Sequence, residues 1–283
     1  MNGSESFAAP PQFRALPEGQ LRFRRLGPHR PAPDLVLLHG LLGCGRQWRA
    51  AADIFSERFT CWVLELPGIS SSHPVRDSSL PGLAQWLGSA TQALGLSQFS
   101  LIGSSWGGAL ALEFAARSAL RGRVHRLVLV APAHPFWNPS PRQQWLLTPP
   151  WTRLAATVGA LLPLGFHRRL LAGTYGDPRR LAPASITEYR RLLRRPGLGA
   201  AVANYARARE EDRQRLREAL AAAPDLPPTL LVWGERDAVV PAATAPVLAR
   251  SLPGAHLIVL PGLGHLPFEE DPEAFTTAVL PFL

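Results

Sequence analysis

The first 131 residues alternate short, strongly apolar runs with helical stretches, and each apolar run ends on a turn built around glycine or proline. Asp34-Leu-Val-Leu-Leu-His39 stops at Gly40, and Thr60-Cys-Trp-Val-Leu-Glu-Leu66 stops at Pro67-Gly68. Phe99-Ser-Leu-Ile-Gly103 enters a second glycine-rich turn, and Val124 to Ala131 follows. Runs this short and continuous are strands buried on both faces. Leu80 to Leu94 and Ala109 to Ser118 carry helical spacing between them. Because parallel neighbours need long crossover connections, strands joined through helices predict a mostly parallel central sheet flanked by helices, an α/β fold.

The alternation breaks at Pro132. From there to about Asp225 the chain is rich in Arg, Leu, Ala and Pro, with helical stretches and no strand pattern. It resumes at Thr229-Leu-Leu-Val-Trp-Gly234, followed by a helix near Ala243 to Ser251, a strand at His256 to Leu260 and a final helix over Pro272 to Leu283. This predicts a core made of residues 1–131 and 226–283, with residues 132–225 inserted as a helical cap over the carboxyl edge of the sheet, where open α/β sheets bind ligands.

The chemistry is concentrated in Gly103-Ser104-Ser105-Trp106-Gly107-Gly108. Only Ser105 has glycine on both sides at the G-x-S-x-G spacing; Ser104 would have Ile102 and Trp106 there. A nucleophile on a tight strand-to-helix turn tolerates little side chain beside it, which is what the glycines provide. A serine hydroxyl needs a base. Of the eight histidines, His29, His73, His125, His134 and His256 read as surface residues, and His167, beside Arg168 and Arg169, as a cap residue within reach of substrate. His265 sits in Pro261-Gly-Leu-Gly-His-Leu-Pro267, a glycine-flanked loop directly after a strand, and is the candidate base. The acid that orients it is expected at Asp237, after the preceding strand, with Glu235 as the local competitor. Backbone N–H groups of Leu41, in His39-Gly40-Leu41-Leu42-Gly43, and of Trp106 are the expected oxyanion donors.

HGLLG, the LPG turn at 66–68, GSSWGG, WGERDAVVP and GLGHLPFEEDP, in that order, resemble the α/β-hydrolase superfamily, in its capped, esterase-like branch. The resemblance spans nearly the whole chain. It implies a Ser105–His265–Asp237 triad, no metal or organic cofactor, and substrate contacts from His39, Leu42, Trp137, Trp145 and Leu266, with His39 also organising its loop. Two positions depart from the family pattern: Glu65 stands where the strand usually ends in Asp, and Ser70 replaces a usual glycine. Serine at position 105 argues against the epoxide-hydrolase and dehalogenase branches, which use aspartate there.

Composition refines this. The chain of 283 residues contains no lysine, and its net charge is +9. Between Arg142 and Arg217 there are 15 arginines against five acids, whereas the rest is close to neutral. Arg207, Arg209, Glu210, Glu211, Asp212, Arg213, Arg215 and Arg217 read as a mixed, solvated helix face; Arg179-Arg180, Arg190-Arg191 and Arg194-Arg195 are less balanced. An arginine-rich lid suits an anionic or carrier-linked substrate, and equally a solubilising surface in an arginine-biased proteome. No nucleic-acid-binding motif accompanies the charge. Phe136, Trp137, Trp145, Trp151 and the run Leu154 to Phe166 either line an acyl pocket or pack the cap onto the core.

Cys44 and Cys61 form neither a disulfide scaffold nor a metal-binding pair. The start, MNGSESFAAPPQ, lacks the pattern of an export signal, and no apolar run is long enough to span a bilayer, so a cytoplasmic protein without stable membrane insertion is expected. The expected activity is cleavage of an ester or thioester of a small apolar acyl substrate. Within the same fold the alternatives are C–C bond hydrolysis of a dienol-keto acid and amidase, aminopeptidase, lactonase or perhydrolase activity; outside enzymes, a ligand-binding or carrier-protein-interacting role.

Overall fold

A computed structural model describes residues 7–70, 72–117, 122–139, 141, 162–223 and 225–283. Its strands are β1 (Gln12–Leu16), β2 (Gly19–Leu26), β3 (Asp34–Leu38), β4 (Thr60–Leu64), β5 (Phe99–Ser104), β6 (Val124–Val130), β7 (Thr229–Gly234) and β8 (His256–Leu260). They form one sheet in the order β1-β2-β4-β3-β5-β6-β7-β8. The pairs β1–β2 and β2–β4 are antiparallel and the remainder parallel.

Side chains alternate across each strand, so both faces of the sheet must be covered. On one face Val36 and Leu38 of β3 pack with Leu83 and Leu87 of α2 (Leu80–Ala93) and with Leu110 and Phe114 of α3 (Trp106–Ala116). On the other, Leu35 and Leu37 pack with Phe55 of α1 (Arg49–Phe55) and with residues near the C-terminus. Trp48 stacks on Phe268 there, with ring centroids 3.8 Å apart.

The N-terminal hairpin and α1 were not anticipated from the sequence. In β2 the inward positions Leu21, Phe23 and Leu26 are interleaved with three arginines, which obscures the strand pattern. Arg24 is nonetheless buried, donating from Nη1 to Phe7 O at 3.1 Å with its guanidinium 4.7 Å from the Phe7 ring. Helix α3 starts at Trp106, three residues before the expected Ala109, because the helix includes the glycines of the turn itself.

Among the described residues between β6 and β7 the regular structure is mainly helical, as expected: α4 (Leu164–Ala172), α5 (Pro183–Leu193) and α6 (Leu198–Ala222). Helix α6 is anchored to both ends of the connection between β4 and α2. Tyr205 Oη donates to Pro67 O at 2.9 Å, and Asp212 Oδ1 accepts the Leu80 N–H at 3.0 Å. Arg213 and Arg217 both donate to Pro135 O. After β7 come α7 (Ala245–Arg250), α8 (Pro267–Glu270) and α9 (Pro272–Val279), the last ending short of the expected Leu283. No described helix is long and apolar enough to cross a membrane.

Candidate active site

Ser105 joins β5 to α3 with φ +54° and ψ −116°, a conformation that costs a non-glycine residue about 1–3 kcal/mol. Three hydrogen bonds hold it there. Its N–H donates to Val130 O at 2.9 Å, and its carbonyl accepts the N–H groups of Ala109 (3.0 Å) and Ala133 (2.9 Å). A Cβ on Gly103 would lie 2.3 Å from Gly107 O, and one on Gly107 would lie 2.4 Å from His39 O. The motif therefore needs both glycines for close backbone approach, and Ser105 is left half-buried at the mouth of the turn.

His265 follows β8 and Asp237 follows β7. His265 Nδ1 lies 2.8 Å from Asp237 Oδ2, with both residues buried. The other oxygen, Oδ1, accepts the N–H groups of Val239 (2.8 Å) and Val240 (2.9 Å), which fixes the carboxylate plane. The carboxylate makes Nδ1 the protonated nitrogen and Nε2 a proton acceptor. Glu235 is exposed and accepts the Gly262 N–H at 2.9 Å, so it braces the turn of the histidine loop and does not reach His265. Ser105 and His265 line one cavity of about 340 Å³. Among the described contacts no hydrogen bond joins Ser105 Oγ to His265 Nε2, a separation common in free enzymes that closes on substrate binding.

Leu41 and Trp106 line the same cavity, and among the described residues neither backbone N–H has an acceptor. Trp106 is the first residue of α3, where the helix dipole favours negative charge. The loop carrying Leu41 is organised from beneath by His39. That ring is fully buried; its Nε2 accepts the Leu66 N–H at 3.0 Å, so Nδ1 donates to Gly40 O at 2.8 Å. Burial pulls the His39 pKa down, keeping the ring neutral for this pair of bonds. Ser70, at the unusual position, is buried with its hydroxyl 3.0 Å from His39 Nε2, and Glu65 accepts the Gly45 N–H at 3.1 Å. Both departures are thus absorbed into the support of the loop. His39 itself is not among the residues lining the cavity.

Leu42, Trp137 and Leu266, the other expected substrate contacts that fall among the described residues, line it. Trp145, Trp151 and residues 154–161 of the apolar run lie outside the described residues. At the end of that run Leu164 and Phe166 are exposed. The cavity also has polar walls that sequence reasoning missed. His134, read as a surface residue, is fully buried, 3.1 Å from Thr244 Oγ1 through Nε2. Burial, reinforced by Arg213, pushes its pKa down to about 4. Its place directly after β6, in Ala131-Pro-Ala-His134, was the available signal. Arg209, Asp212 and Arg213, read as part of a solvated helix face, line the cavity as well. His167 is buried, with Nδ1 3.0 Å from Pro163 O, and is not a lining residue. Among the described residues no three His, Cys, Asp or Glu side chains gather as a metal site.

The sequence profile described as the alpha/beta hydrolase fold matches residues 33–272. The chain belongs to the alpha/beta hydrolase fold family. Among relatives of this hydrolase-fold chain, the pimeloyl-[acyl-carrier protein] methyl ester esterase of Aeromonas hydrophila is 30% identical over 261 residues, covering 89% of this chain and 95% of that protein. A thermophilic esterase from Thermogutta terrifontis superposes with a TM-score of 0.75 at 25% identity, covering 96% of this chain and 97% of that one. The naproxen esterase of Bacillus subtilis superposes with a TM-score of 0.79 at 22% identity over 99% of this chain and 92% of that one, a likeness of fold.

Proposed function

We propose that this hydrolase-fold protein is a serine hydrolase that cleaves carboxylic ester or thioester bonds of an apolar acyl substrate. The observation that carries the reading is the Asp237–His265 hydrogen bond at 2.8 Å on a cavity shared with Ser105, in its strained turn, and with two backbone N–H groups lacking acceptors. In this reading Ser105 Oγ attacks the substrate carbonyl while His265 Nε2 takes its proton. Asp237 stabilises the imidazolium that forms. The N–H groups of Leu41 and Trp106 hold the oxyanion, each worth roughly 10²- to 10³-fold in rate. His265 returns the proton to the departing alkoxide or thiolate. Water, deprotonated by the same nitrogen, then releases the acid and regenerates Ser105.

The esterase named for a carrier-protein methyl ester, at 30% identity, supports ester chemistry and makes a carrier-linked acyl group a natural extension of the reading. The test is labelling with a fluorophosphonate probe together with turnover of short p-nitrophenyl esters. The wild-type chain should label and turn over, and Ser105→Ala should do neither. Retention of either by Ser105→Ala would overturn the assignment.

A further inference from the structure

The arginines that stand out in the sequence are not the ones that meet the cavity. Arg179, Arg180 and Arg191 pair with Asp177 (2.8 Å), Asp271 (2.9 Å) and Glu188 (2.7 Å). Helix α6 instead turns Tyr205, Arg209, Arg213 and Leu216 toward the space that holds Ser105 and His265, at the spacing of one helix face. Among its acids, Glu210 meets one arginine of this face and Asp212 lies on the wall itself. Glu210 is exposed and pairs with Arg213 Nη1 at 3.0 Å, Glu211 pairs with Arg215, and Asp212 Oδ1 holds the Leu80 N–H. Among the described residues Arg209 makes no ion pair, and its Nε and Nη1 are buried without a hydrogen-bond partner; Arg213 Nε is in the same condition. Buried guanidinium N–H groups are rarely left without acceptors. Arg213 acts on Arg209 as a like charge, and exposed Glu210 offsets part of that effect.

We propose that Arg209, supported by Arg213, forms an anion-binding subsite in the wall of the catalytic cavity, so that the apolar chain of the substrate ends in a carboxylate. This rests on the serine-hydrolase reading for the reacting end. Leu41, Trp106, Trp137, Tyr205 and Leu266, also on its walls, are apolar or aromatic, which suits the methylene chain between ester and carboxylate. Asp212 does not cancel the subsite: burial pushes its carboxyl up to about 7, so near neutral pH much of it is protonated, and its unpartnered Oδ2 then offers a donor. Burial followed by Arg213 holds the Arg209 guanidinium below its ordinary range, the direction an anion would reverse.

The experiment compares p-nitrophenyl half-esters of straight-chain dicarboxylic acids, about six to nine carbons long, with p-nitrophenyl esters of monocarboxylic acids of equal length. The wild-type chain should favour the half-ester in kcat/KM at a matching length. Arg209→Gln should lower the anionic-to-neutral ratio about 10- to 100-fold, mainly through KM, the loss expected for a charge-assisted hydrogen bond. Arg207→Gln, whose exposed side chain pairs with Asn204, should keep the wild-type ratio. A wild-type ratio at or below unity at every length overturns the subsite even if the variant does not fold, as does an unchanged ratio in folded Arg209→Gln. If no ester is turned over, the serine-hydrolase reading has failed, and the subsite is judged by calorimetric titration with the monomethyl and dimethyl esters of the same diacids. Selective binding of the monoanion, lost in Arg209→Gln, supports it; equal or absent binding overturns it.

Discussion

Glu270 accepts the Gly264 N–H at 2.7 Å, immediately before His265, and the same oxygen accepts the Gly176 N–H at 2.9 Å. Its second oxygen accepts the Asp177 N–H at 2.8 Å. The His265 N–H donates to Thr174 O at 2.7 Å. One buried carboxylate therefore ties the loop carrying the proposed base to residues 174–177, which follow α4 in the insertion. The core and the insertion position His265 jointly.

Glu270→Ala leaves three backbone N–H groups without their acceptor. A loss of about 3 kcal/mol or more is expected, because bonds to a charged acceptor contribute about 1.5–3 kcal/mol each. For a chain of this size that is a fall in Tm of roughly 6–12 °C, read by calorimetry. Ester turnover well below that Tm should fall as well, because the histidine loop is no longer held. Glu270→Gln, which keeps one acceptor oxygen, should lie between. A Tm within about a degree of wild type would show that the knot contributes little.

Asp237→Asn should lower kcat by about 10³- to 10⁴-fold, because the amide favours the wrong imidazole tautomer and cannot stabilise the imidazolium. The fold should survive, since Asn Oδ1 can still accept the N–H groups of Val239 and Val240. Steady-state kinetics beside a thermal melt separates the two effects. Glu235→Gln, which loses only part of a brace on Gly262, should keep kcat close to wild type.

Asp212 and His134 should give opposite slopes of stability against pH. Between the ordinary carboxylate value of 3.8 and about 7, native Asp212 keeps a proton that the unfolded chain has released, so its contribution falls as pH rises through that window. Between about 4 and the ordinary imidazole value of 6.5, native His134 refuses a proton that the unfolded chain accepts, so its contribution rises with pH. Each slope is at most about 1.4 kcal/mol per pH unit. In urea titrations Asp212→Asn should gain stability relative to wild type as pH rises to about 7 and then level off. His134→Gln should gain relative to wild type as pH falls from 6.5 toward 4. Parallel curves for wild type and either variant would contradict the burial argument for that residue.

The alternation of buried strands with helices, the helical character of the insertion and the place of the serine turn follow from the sequence by itself, because each depends on a few neighbouring residues. Continuous apolar runs have no solvent face to offer, and the glycines at 103 and 107 leave room for backbone contacts within one turn. Contacts between distant residues were legible only in part. The sequence favours Asp237 over Glu235, and the contacts that separate them lie in the loop some 28 residues further on, where one carboxylate meets an imidazole and the other a backbone N–H. The hairpin of β1 and β2 was masked by arginines that become acceptable only beside Phe7 and β4. Helix α6 shows the limit most clearly. Arginines and acids are interleaved from Arg207 to Arg217, so the charge pattern does not define which side faces water. Anchoring of Tyr205 and Asp212 to the two ends of the β4–α2 connection, and of Arg217 to Pro135 O just after β6, sets the rotation of the helix, and that rotation turns Arg209 from a surface charge into a wall of the cavity that holds Ser105 and His265.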